Sequence, residues 1–319
     1  MSITHPTISI VVTAYNSAQF IALMLEGAIA QTFRDWEMVV VDDGSPDDVA
    51  AIIENFCRRE PRIRLVRQSN QGVAHARNRG LAETNPRAGF VIFLDGDDVW
   101  QPAALATLLA ALEAQPQASG AHSIARMVDD RGELFQPGEM ENILRQRRAV
   151  VGRRVVDLPP SAPTTFSSLL VNCWLVTPGI CLLRRSFLER TDGFRQAMTP
   201  SDDWELWLRL TRLGDFIFVD EVLLDYRRHD LSVSADHRRM IEARSRIFDH
   251  LRRDPALTPD ERWMVKNVYA CTQRYHAAGF RRAAREKFRA GDWRGALRQL
   301  GYAADYSFRA VRGPRRGRG

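Results

Sequence analysis

Apolar and polar positions along the first third of the chain form blocks that predict strands and helices in alternation. Four short apolar runs predict buried strands: residues 8–13, 38–41, 63–66 and 90–94. Each run is followed by apolar residues at helical spacing, in residues 21–28, 49–56, 73–82 and 102–113. Strands alternating with helices indicate right-handed crossovers, so the pattern predicts an α/β fold with a mainly parallel sheet flanked by helices.

The pattern changes in the middle of the chain. Residues 136–165 are rich in Pro, Gly and Arg and predict either a long loop or a mixed segment. Helical spacing returns at 204–210, and a strand pair is predicted at 216–219 and 222–224. From residue 236 onward every periodic segment is helical. We therefore predict a first domain at residues 1–235 and a helical extension at 236–319.

The charge of the chain changes sign along its length. The whole chain carries +6, but residues 236–319 contain 21 Lys/Arg and 9 Asp/Glu, a balance of +12 that leaves about −6 for the rest. An acidic first domain needs a cation or local arginines to hold an anionic substrate, whereas a basic extension favours an anionic surface. Since the extension has no nucleic-acid recognition motif, we expect it to contact the inner face of the cell membrane rather than nucleic acid.

Cysteine usage and apolar stretches predict a cytoplasmic protein. The four cysteines are widely spaced without a C-x-x-C pair, which argues against a zinc ribbon or a disulfide framework: Cys57, Cys173, Cys181 and Cys271. The longest apolar stretch, residues 169–183, is interrupted by Asn172 and by Pro178. We therefore expect neither an export signal nor a membrane span.

Polar residues follow three of the predicted strands. The carboxyl ends of parallel strands share one edge of a sheet, where ligands bind in α/β folds. Asp, Asn and Gly also favour turns on their own account, but three polar strand ends at one edge favour a ligand site. These residues are Thr13, Tyr15 and Asn16 after the first strand, Asp42 and Asp43 after the second, and Asp95 to Asp98 after the fourth.

The D-x-D pattern formed by Asp95 and Asp97 predicts a cation site. Two carboxylates one residue apart on a turn can share a hard cation such as Mg²⁺ or Mn²⁺, and a diphosphate would complete its coordination. The pattern is common by chance, and its position directly after a buried strand is what favours this interpretation.

Seven motifs occur in an order that resembles family 2 glycosyltransferases. They lie within residues 8–234: ISIVVTAYN, VVVDDGSPD, NQGVAHARNRG, FLDGDD, DGF, DDWELWLRL and YRRHDLS. The resemblance implies a GT-A-type, Rossmann-like fold and an inverting transfer from a nucleotide-sugar donor (UDP-, dTDP- or GDP-linked) with Mn²⁺ or Mg²⁺ as cofactor.

The resemblance also implies roles for donor-binding residues. Thr13 and Tyr15 match positions that line the nucleotide pocket, and Asp42 matches the residue that hydrogen-bonds the base. Arg77 is expected to reach the donor, and Asp95 to lie near the ribose or a metal-bound water. The alternative for Arg77 is a place on a basic helix face.

Metal and catalytic roles are carried over in the same way. Asp97 matches the metal ligand, and His229 lies where the family often has a histidine near the metal and diphosphate, although a lone histidine is usually structural. Asp203 matches the general base, and Asp202 replaces the usual Glu at an acceptor-binding position. The alternative for this pair is an acidic helix start that suits the helix dipole. Trp204 is expected either to stack on an acceptor sugar or to lie in the core.

The residues favour a transferase over other functions. A sugar nucleotidyltransferase would have a glycine-rich phosphate loop after the first strand, where this chain has Thr-Ala-Tyr-Asn. A catalytically silent binding module is the second alternative, and Asp97 together with Asp203 argues against it. Without a Q-x-x-R-W motif or membrane helices, addition of one sugar per encounter is expected, in cell-surface polysaccharide or glycolipid assembly.

Basic residues suggest what the acceptor carries. We expect residues 136–165 to shape the acceptor site, with five arginines that suit a phosphate-bearing saccharide or lipid-linked acceptor or are merely solvated: Arg145, Arg147, Arg148, Arg153 and Arg154. The tail arginines are expected to dock on a membrane. For the amphipathic stretch at residues 280–300 there are two alternatives, docking on the membrane and a helical cap that packs on the first domain, and the cap is favoured. The tail arginines are Arg312, Arg315, Arg316 and Arg318.

Overall fold

A computed structural model describes residues 5–135, 137–229 and 236–312. The chain divides into two compact units, Met1–Ala243 and Arg244–Gly319. The boundary predicted at residue 235 lies outside the described residues, and the division falls a few residues later.

The first unit alternates strands and helices as expected. Its strands are β1 (Ile8–Ala14), β2 (Trp36–Asp42), β3 (Ile63–Arg67), β4 (Phe90–Asp95), β5 (Val99–Trp100), β6 (Gly120–Val128), β7 (Arg148–Val151), β8 (Arg154–Asp157), β9 (Cys181–Arg184) and β10 (Phe216–Arg227). Its helices are α1 (Ile21–Ile29), α2 (Val49–Arg59), α3 (Val73–Glu83), α4 (Ala104–Ala114), α5 (Glu139–Arg145), α6 (Phe166–Val171), α7 (Arg185–Leu188) and α8 (Asp202–Leu210). Helix α9 (His237–Leu251) crosses the division between the units.

Within the described residues, eight strands form one sheet in the order β3-β2-β1-β4-β9-β6-β10-β5. β1 pairs in parallel with β2 and β4, β2 with β3, and β6 with β10, while β5 and β9 run antiparallel to their neighbours. The predicted mainly parallel sheet is confirmed. Nearly every residue of β1, β2 and β4 is buried, so both faces of the sheet are covered, which is why these strands are continuous apolar runs.

The register of the central strands places the polar strand ends side by side. Ala14 at the end of β1 pairs with Asp42 at the end of β2, and Thr13 pairs with Asp95 at the end of β4. The three carboxyl ends therefore meet at one edge of the sheet, as the sequence predicts.

Helix α3 approaches this sheet closely at Gly80. A side-chain carbon at Gly80 would collide with Cγ1 of Val11 and lie 3.1 Å from Cγ2 of Val41. Ala76, one turn earlier, is buried against Val41. The small residues bring α3 down onto β1 and β2, so that Arg77 lies over the strand ends.

A chain of aromatic rings connects α8 to the sheet. Phe93 of β4 meets Phe194 with ring centroids 4.7 Å apart, and Trp207 of α8 meets Phe216 of β10 at 5.9 Å. Phe194 and Trp207 are themselves 6.5 Å apart. Edge-to-face contacts of this kind fix the orientation of α8, whose first turn carries Asp202 and Asp203.

Three parts of the first unit differ from the simplest prediction or settle between alternatives. Residues 136–165 are the mixed segment rather than the long loop, because they contain α5 and the antiparallel hairpin β7–β8. The strand pair predicted between 216 and 224 is a single strand, β10, whose pairing with β6 shifts register between Phe218 and Val222 and so breaks the pattern. β6 was not predicted, because its buried sequence GAHSIARMV has no long apolar run.

The second unit is helical, as predicted. It contains most of α9, α10 (Pro259–Arg289) and α11 (Trp293–Arg312). Thr258 caps α10 through a capping box with Glu261. Phe280 of α10 packs on Tyr302 and Tyr306 of α11, with ring centroids 5.5 and 5.2 Å apart. None of the helices in the described part of the chain is long and apolar enough to cross a membrane.

Candidate active site

The first strand end contributes Thr13 and Tyr15 to the edge of the sheet. Thr13 Oγ1 donates a hydrogen bond to Asp95 Oδ1 at 3.2 Å, which links β1 to β4 where both end. The side chain of Tyr15 is 53% exposed beside this pair. The two residues lie where a nucleotide pocket was predicted, and the exposed ring offers a flat face to a base.

The second strand end is closed in this structure. Asp42 is buried, its Oδ1 accepts the backbone N–H of Ser45 at 2.9 Å, and its Oδ2 lies 3.4 Å from Nε of Arg67. The Arg67 side chain is largely exposed and can turn away. Both carboxylate oxygens of Asp42 are therefore engaged by protein groups in this structure.

Arg77 joins the polar strand ends to α8. Its Nη2 donates to Asp95 Oδ1 and its Nη1 to Asp202 Oδ2, each at 2.9 Å, and the side chain is almost fully buried. Burial alone lowers the pKa of Arg77, but Asp95, Asp202 and Asp203 outweigh it and raise that pKa above its usual range. Two of the five guanidinium N–H groups are thus held by two carboxylates.

Asp203 is a half-buried carboxylate at the start of α8. Its Oδ1 accepts the backbone N–H of Trp204 at 2.7 Å. Burial raises the pKa of Asp203 to about 7; Arg77 opposes this rise and the neighbouring Asp202 adds to it. A carboxylate with a pKa near neutrality suits proton abstraction at the pH of the cell.

Asp202 and Trp204 do not fit the acceptor contacts predicted for them. Asp202 is fully buried and pairs with Arg77. Trp204 is 3% exposed, and its Nε1 donates to the carbonyl oxygen of Leu169 at 3.0 Å. Both side chains face inward because α8 buries this side against the core, so the core alternative describes Trp204.

The structure brings together the two predicted metal ligands, Asp97 and His229. His229 Nε2 lies 2.9 Å from Asp97 Oδ2, and both side chains remain partly exposed. The His229 ring also packs on Phe20, with centroids 4.9 Å apart. The Asp97 carboxylate suits Mn²⁺ or Mg²⁺ when diphosphate oxygens complete the coordination, and His229 is positioned to add one nitrogen ligand. In the described parts of the chain, no three His, Cys, Asp or Glu side chains are grouped to hold a metal by themselves.

The sequence motifs of this site match those of a known family. The sequence model described as Glycosyl transferase family 2 matches residues 9–191, more than half of the chain. The chain belongs to this family. An uncharacterised glycosyltransferase of Nostoc sp. is 33% identical over 240 residues, covering 70% of this chain and 65% of that protein. The chondroitin synthase of Escherichia coli is 25% identical over 233 residues, covering 72% of this chain but only 30% of that protein. The chain thus spans less than two thirds of these family 2 relatives.

Solved structures share the fold of this family 2 chain. The mannosyltransferase of Pyrobaculum calidifontis, in complex with GDP-Man and Mn²⁺, has a TM-score of 0.64 at 19% identity and covers 98% of this chain and 89% of its own. A fragment of TarS from S. aureus, in complex with UDP-GlcNAc, has a TM-score of 0.61 at 15% identity, with coverage of 96% and 92%. The predicted GT-A-type fold is confirmed by this likeness.

Two buried carboxylates shape the family 2 site without having been assigned a role from the sequence. Asp43 accepts the backbone N–H groups of Gln71 and Gly72 at 2.9 and 2.8 Å and so holds the loop before α3. Asp98 accepts Thr177 Oγ1 at 2.7 Å and the backbone N–H of Arg227 at 3.1 Å. Burial and the neighbouring Asp97 and Asp95 raise the pKa of Asp98 well above its usual range. Each is the second aspartate of an Asp-Asp pair, and that pairing is the feature of the sequence that could have indicated a role for it.

Asp98 therefore places His229. By binding the backbone of Arg227, two residues before His229, it ties the end of β10 to the turn that carries Asp97. Arg227 completes the tie, since its Nε donates to the carbonyl oxygen of Asp97 at 3.1 Å.

Arg147, predicted among the acceptor-binding arginines, is instead structural. It is buried and donates to the carbonyl oxygens of Pro159, Pro160 and Ala162. Its guanidinium also lies 3.8 Å from the ring centroid of Phe218, and burial lowers the pKa of Arg147 to about 10.

The other four arginines of the segment lie at the surface. Arg145 pairs with Asp220 at 2.7 Å and Arg148 with Asp157 at 2.8 Å. Arg153 and Arg154 lie exposed in the β7–β8 hairpin. Their part in binding an acceptor stays a prediction.

Proposed function

We propose that this chain is an inverting, metal-dependent glycosyltransferase that moves one sugar from a nucleotide-sugar donor to an acceptor hydroxyl. The observation that carries the proposal is the Asp203 carboxylate, whose pKa is raised to about 7 and which faces Arg77 where α8 meets the donor-side strand ends. Membership of family 2 supports it, as do the nucleotide-sugar complexes of the two structural neighbours.

In the proposed reaction Asp203 acts as general base. The acceptor oxygen forms its bond to the anomeric carbon as the bond from that carbon to the diphosphate oxygen breaks. The hydroxyl proton passes to the Asp203 carboxylate, and the nucleoside diphosphate leaves with the electron pair. Attack on the face opposite the leaving group inverts the anomeric carbon without a covalent sugar–enzyme intermediate. Proton abstraction of this kind contributes about 10²- to 10⁴-fold to a rate.

Asp97 and His229 would hold the divalent cation. A bound Mn²⁺ or Mg²⁺ supplies neutralising charge for the leaving diphosphate. The protein's own part is to keep the two side chains together, through the contact of Asp98 with the backbone of Arg227. The ring of Phe20 supports the His229 imidazole from one side.

The strand ends would bind the donor. Tyr15 and Thr13 line the pocket, Asp95 lies next to the ribose, and Asp42 takes the base once Arg67 moves. Arg77 positions Asp95 and Asp202 together, so that the donor side and the base side of the site keep a fixed relation. The donor is proposed to be a UDP-, dTDP- or GDP-linked sugar.

The acceptor is proposed to be a saccharide or a lipid-linked saccharide in cell-surface polysaccharide or glycolipid assembly, modified at the cytoplasmic face of the membrane. A relative named chondroitin synthase supports a saccharide acceptor. The exposed arginines of the β7–β8 hairpin support a phosphate-bearing one.

The test is a panel of nucleotide-sugar donors scored for nucleoside diphosphate release with Mn²⁺ and with EDTA. Wild type and Asp203→Asn are compared with Glu113→Gln, an exposed acid-to-amide change at the end of α4. Release by wild type and by Glu113→Gln, with Mn²⁺ only, is expected. If all three proteins bind a donor but none releases nucleoside diphosphate, the chain is a catalytically silent binding module instead.

A further inference from the structure

Helix α11 carries an apolar stripe that faces outward from the second unit. Its residues are 39% to 81% exposed: Trp293, Leu297, Leu300, Phe308 and Val311. At 3.6 residues per turn these five positions fall within about 80° of one another around the helix. Exposed apolar side chains gathered on one helix face in this way mark an interaction surface.

The stripe is separate from the face through which α11 packs. Ala296, Ala303 and Tyr306 are buried on another side of the helix. Tyr306 meets Phe280 of α10 there, and Arg281 Nη1 donates to Ser307 Oγ at 3.1 Å. At the edge of this face Trp293 meets Phe288 of α10 with ring centroids 5.1 Å apart, yet the five stripe residues stay 39% to 81% exposed.

Basic side chains border the stripe. Arg294 and Arg298 are exposed on one flank of it. Residues 244–319 contain 19 Lys/Arg and 7 Asp/Glu, and four more arginines are exposed on α10: Arg281, Arg282, Arg285 and Arg289. The side chain of Arg312 and the predicted tail arginines Arg315, Arg316 and Arg318 lie outside the described residues.

We propose that α11 lies flat on an anionic lipid bilayer, with its stripe inserted at the level of the headgroups and Arg294 and Arg298 on lipid phosphates. An apolar face bordered by arginines is the pattern of an interfacial helix, and a tryptophan at its start suits the membrane interface. A second copy of the chain would bring two strongly basic surfaces together, so charge favours the bilayer. The proposal does not depend on the catalytic activity.

The sequence alone favoured the basic tail as the anchor. The structure adds an apolar component, and the two differ in their response to salt. Contacts between charges on the surface are screened at ~0.5 M salt, whereas insertion of apolar side chains persists.

The experiment is co-sedimentation of the full chain with vesicles of phosphatidylglycerol and phosphatidylcholine, or of phosphatidylcholine alone, at low and at ~0.5 M salt. The stripe variant combines Leu297→Ser, Leu300→Ser and Val311→Ser. Its matched control changes three exposed apolar residues of the first unit: Leu23→Ser, Leu134→Ser and Ile143→Ser. Removal of residues 313–319 isolates the tail.

We expect the stripe variant to lose at least ~10-fold in partition to anionic vesicles at both salt concentrations, because each lost side chain weakens insertion. The control should bind like wild type. The tail deletion and the pair Arg294→Gln, Arg298→Gln should weaken binding at low salt only. The proposal is overturned if the stripe variant binds vesicles as strongly as wild type does. It is also overturned if wild type is a dimer and the variant is a monomer whose vesicle binding is unchanged.

Trp293 gives a second measurement on the folded wild-type helix. Lipids brominated near the headgroup should quench its fluorescence, obtained as the difference between wild type and Trp293→Phe, since the chain has 7 tryptophans. If the stripe variant fails to fold, this quenching measurement still tests whether α11 contacts the bilayer. Absence of any difference in quenching would place α11 away from the bilayer.

Discussion

Arg77 Nη1 donates to Asp202 Oδ2 at 2.9 Å across 125 residues of sequence. The contact joins α3, which lies over the strand ends, to the first turn of α8, and the other arm of the guanidinium holds Asp95. One cation therefore faces three aspartates, of which Asp203 is the one proposed to take a proton. The protonation of that residue depends on Arg77.

Replacing Arg77 with Gln should shift the pH dependence of transfer. Asp203 must be ionised to accept a proton, and its pKa is about 7, with Arg77 acting to lower it. Without that positive charge the pKa rises, so the acidic limb of the kcat/KM profile moves to higher pH. Activity at pH 7 should fall about 10-fold or more and recover in part by pH 9.

The control for this profile is Arg79→Gln on the same helix, where Arg79 pairs with Glu83 at the surface. Its profile should match wild type. An unchanged acidic limb in Arg77→Gln would show that Arg77 does not tune the base. Thermal unfolding is measured alongside, because the change leaves buried Asp202 unpaired and lowers stability.

Asp203→Asn keeps the shape of the side chain and removes its ability to accept a proton. We expect kcat to fall ~10²- to 10⁴-fold while the donor Kd stays within about twofold of wild type. Steady-state kinetics check kcat, and calorimetric titration with the nucleotide-sugar donor in the absence of acceptor checks the donor Kd. A variant that keeps more than about a tenth of wild-type kcat would mean that the base is another group.

His229→Gln should lower the apparent affinity for metal while the free energy of unfolding changes little. With Asp97 left as a single protein ligand, the Mn²⁺ concentration for half-maximal activity should rise about 10- to 100-fold. Asp97→Ala should leave little activity at any Mn²⁺ concentration. The matched control is His250→Gln, an exposed histidine of α9, which should respond like wild type. The hypothesis fails if wild type remains fully active in excess EDTA.

Arg147→Gln should destabilise the protein rather than change its kinetics. The change leaves buried carbonyl groups without their donor, so we expect the free energy of unfolding to fall by about 2–4 kcal/mol. Arg154→Gln, an exposed position of the hairpin, should change it by less than about 0.5 kcal/mol. Denaturant titration of both variants makes the comparison, and equal stabilities would contradict the structural role.

The four exposed arginines of residues 136–165 are replaced together, and Arg147 is left unchanged because it is buried. Replacing Arg145, Arg148, Arg153 and Arg154 with Gln should raise the acceptor KM and leave the donor KM unchanged if they bind an acceptor phosphate. Equal effects on both constants, or none, would favour solvated arginines.

Hydrophobic pattern alone predicted the part of the sheet that surrounds the edge where the polar strand ends meet. β1, β2 and β4 are buried on both faces, so their apolar runs are unbroken and their ends are visible in the sequence. β6 is equally buried, but it contains His122, whose Nε2 lies 2.7 Å from Thr164 Oγ1. A buried strand whose polar side chains hydrogen-bond to residues far along the chain has no continuous apolar run. The hydrophobic pattern therefore cannot distinguish such a strand from a loop.

The site was predicted as a set of residues but not as a set of contacts. The pairing of Asp97 with His229 spans 132 residues, and only resemblance to a family suggested it. Nothing in the sequence distinguishes Arg147, which is buried, from Arg148, which is exposed, because each is one arginine in a basic stretch. Burial depends on packing with residues far along the chain, and that information is absent from local sequence.

The distance between α3 and the sheet depends on the volume of the side chains at positions 80 and 11. Because a methyl group at position 80 would strike Val11, Gly80→Ala alone should lift the helix and withdraw Arg77, three residues earlier, from its two carboxylates. The same change together with Val11→Ala removes the collision and leaves the 3.1 Å approach to Cγ2 of Val41 as the one tight contact of the new methyl group. The two positions therefore form a compensating pair, and in a library that randomises both, functional clones should trade volume at one position against volume at the other. Selection on catalysis would then act on a glycine that touches neither donor nor acceptor.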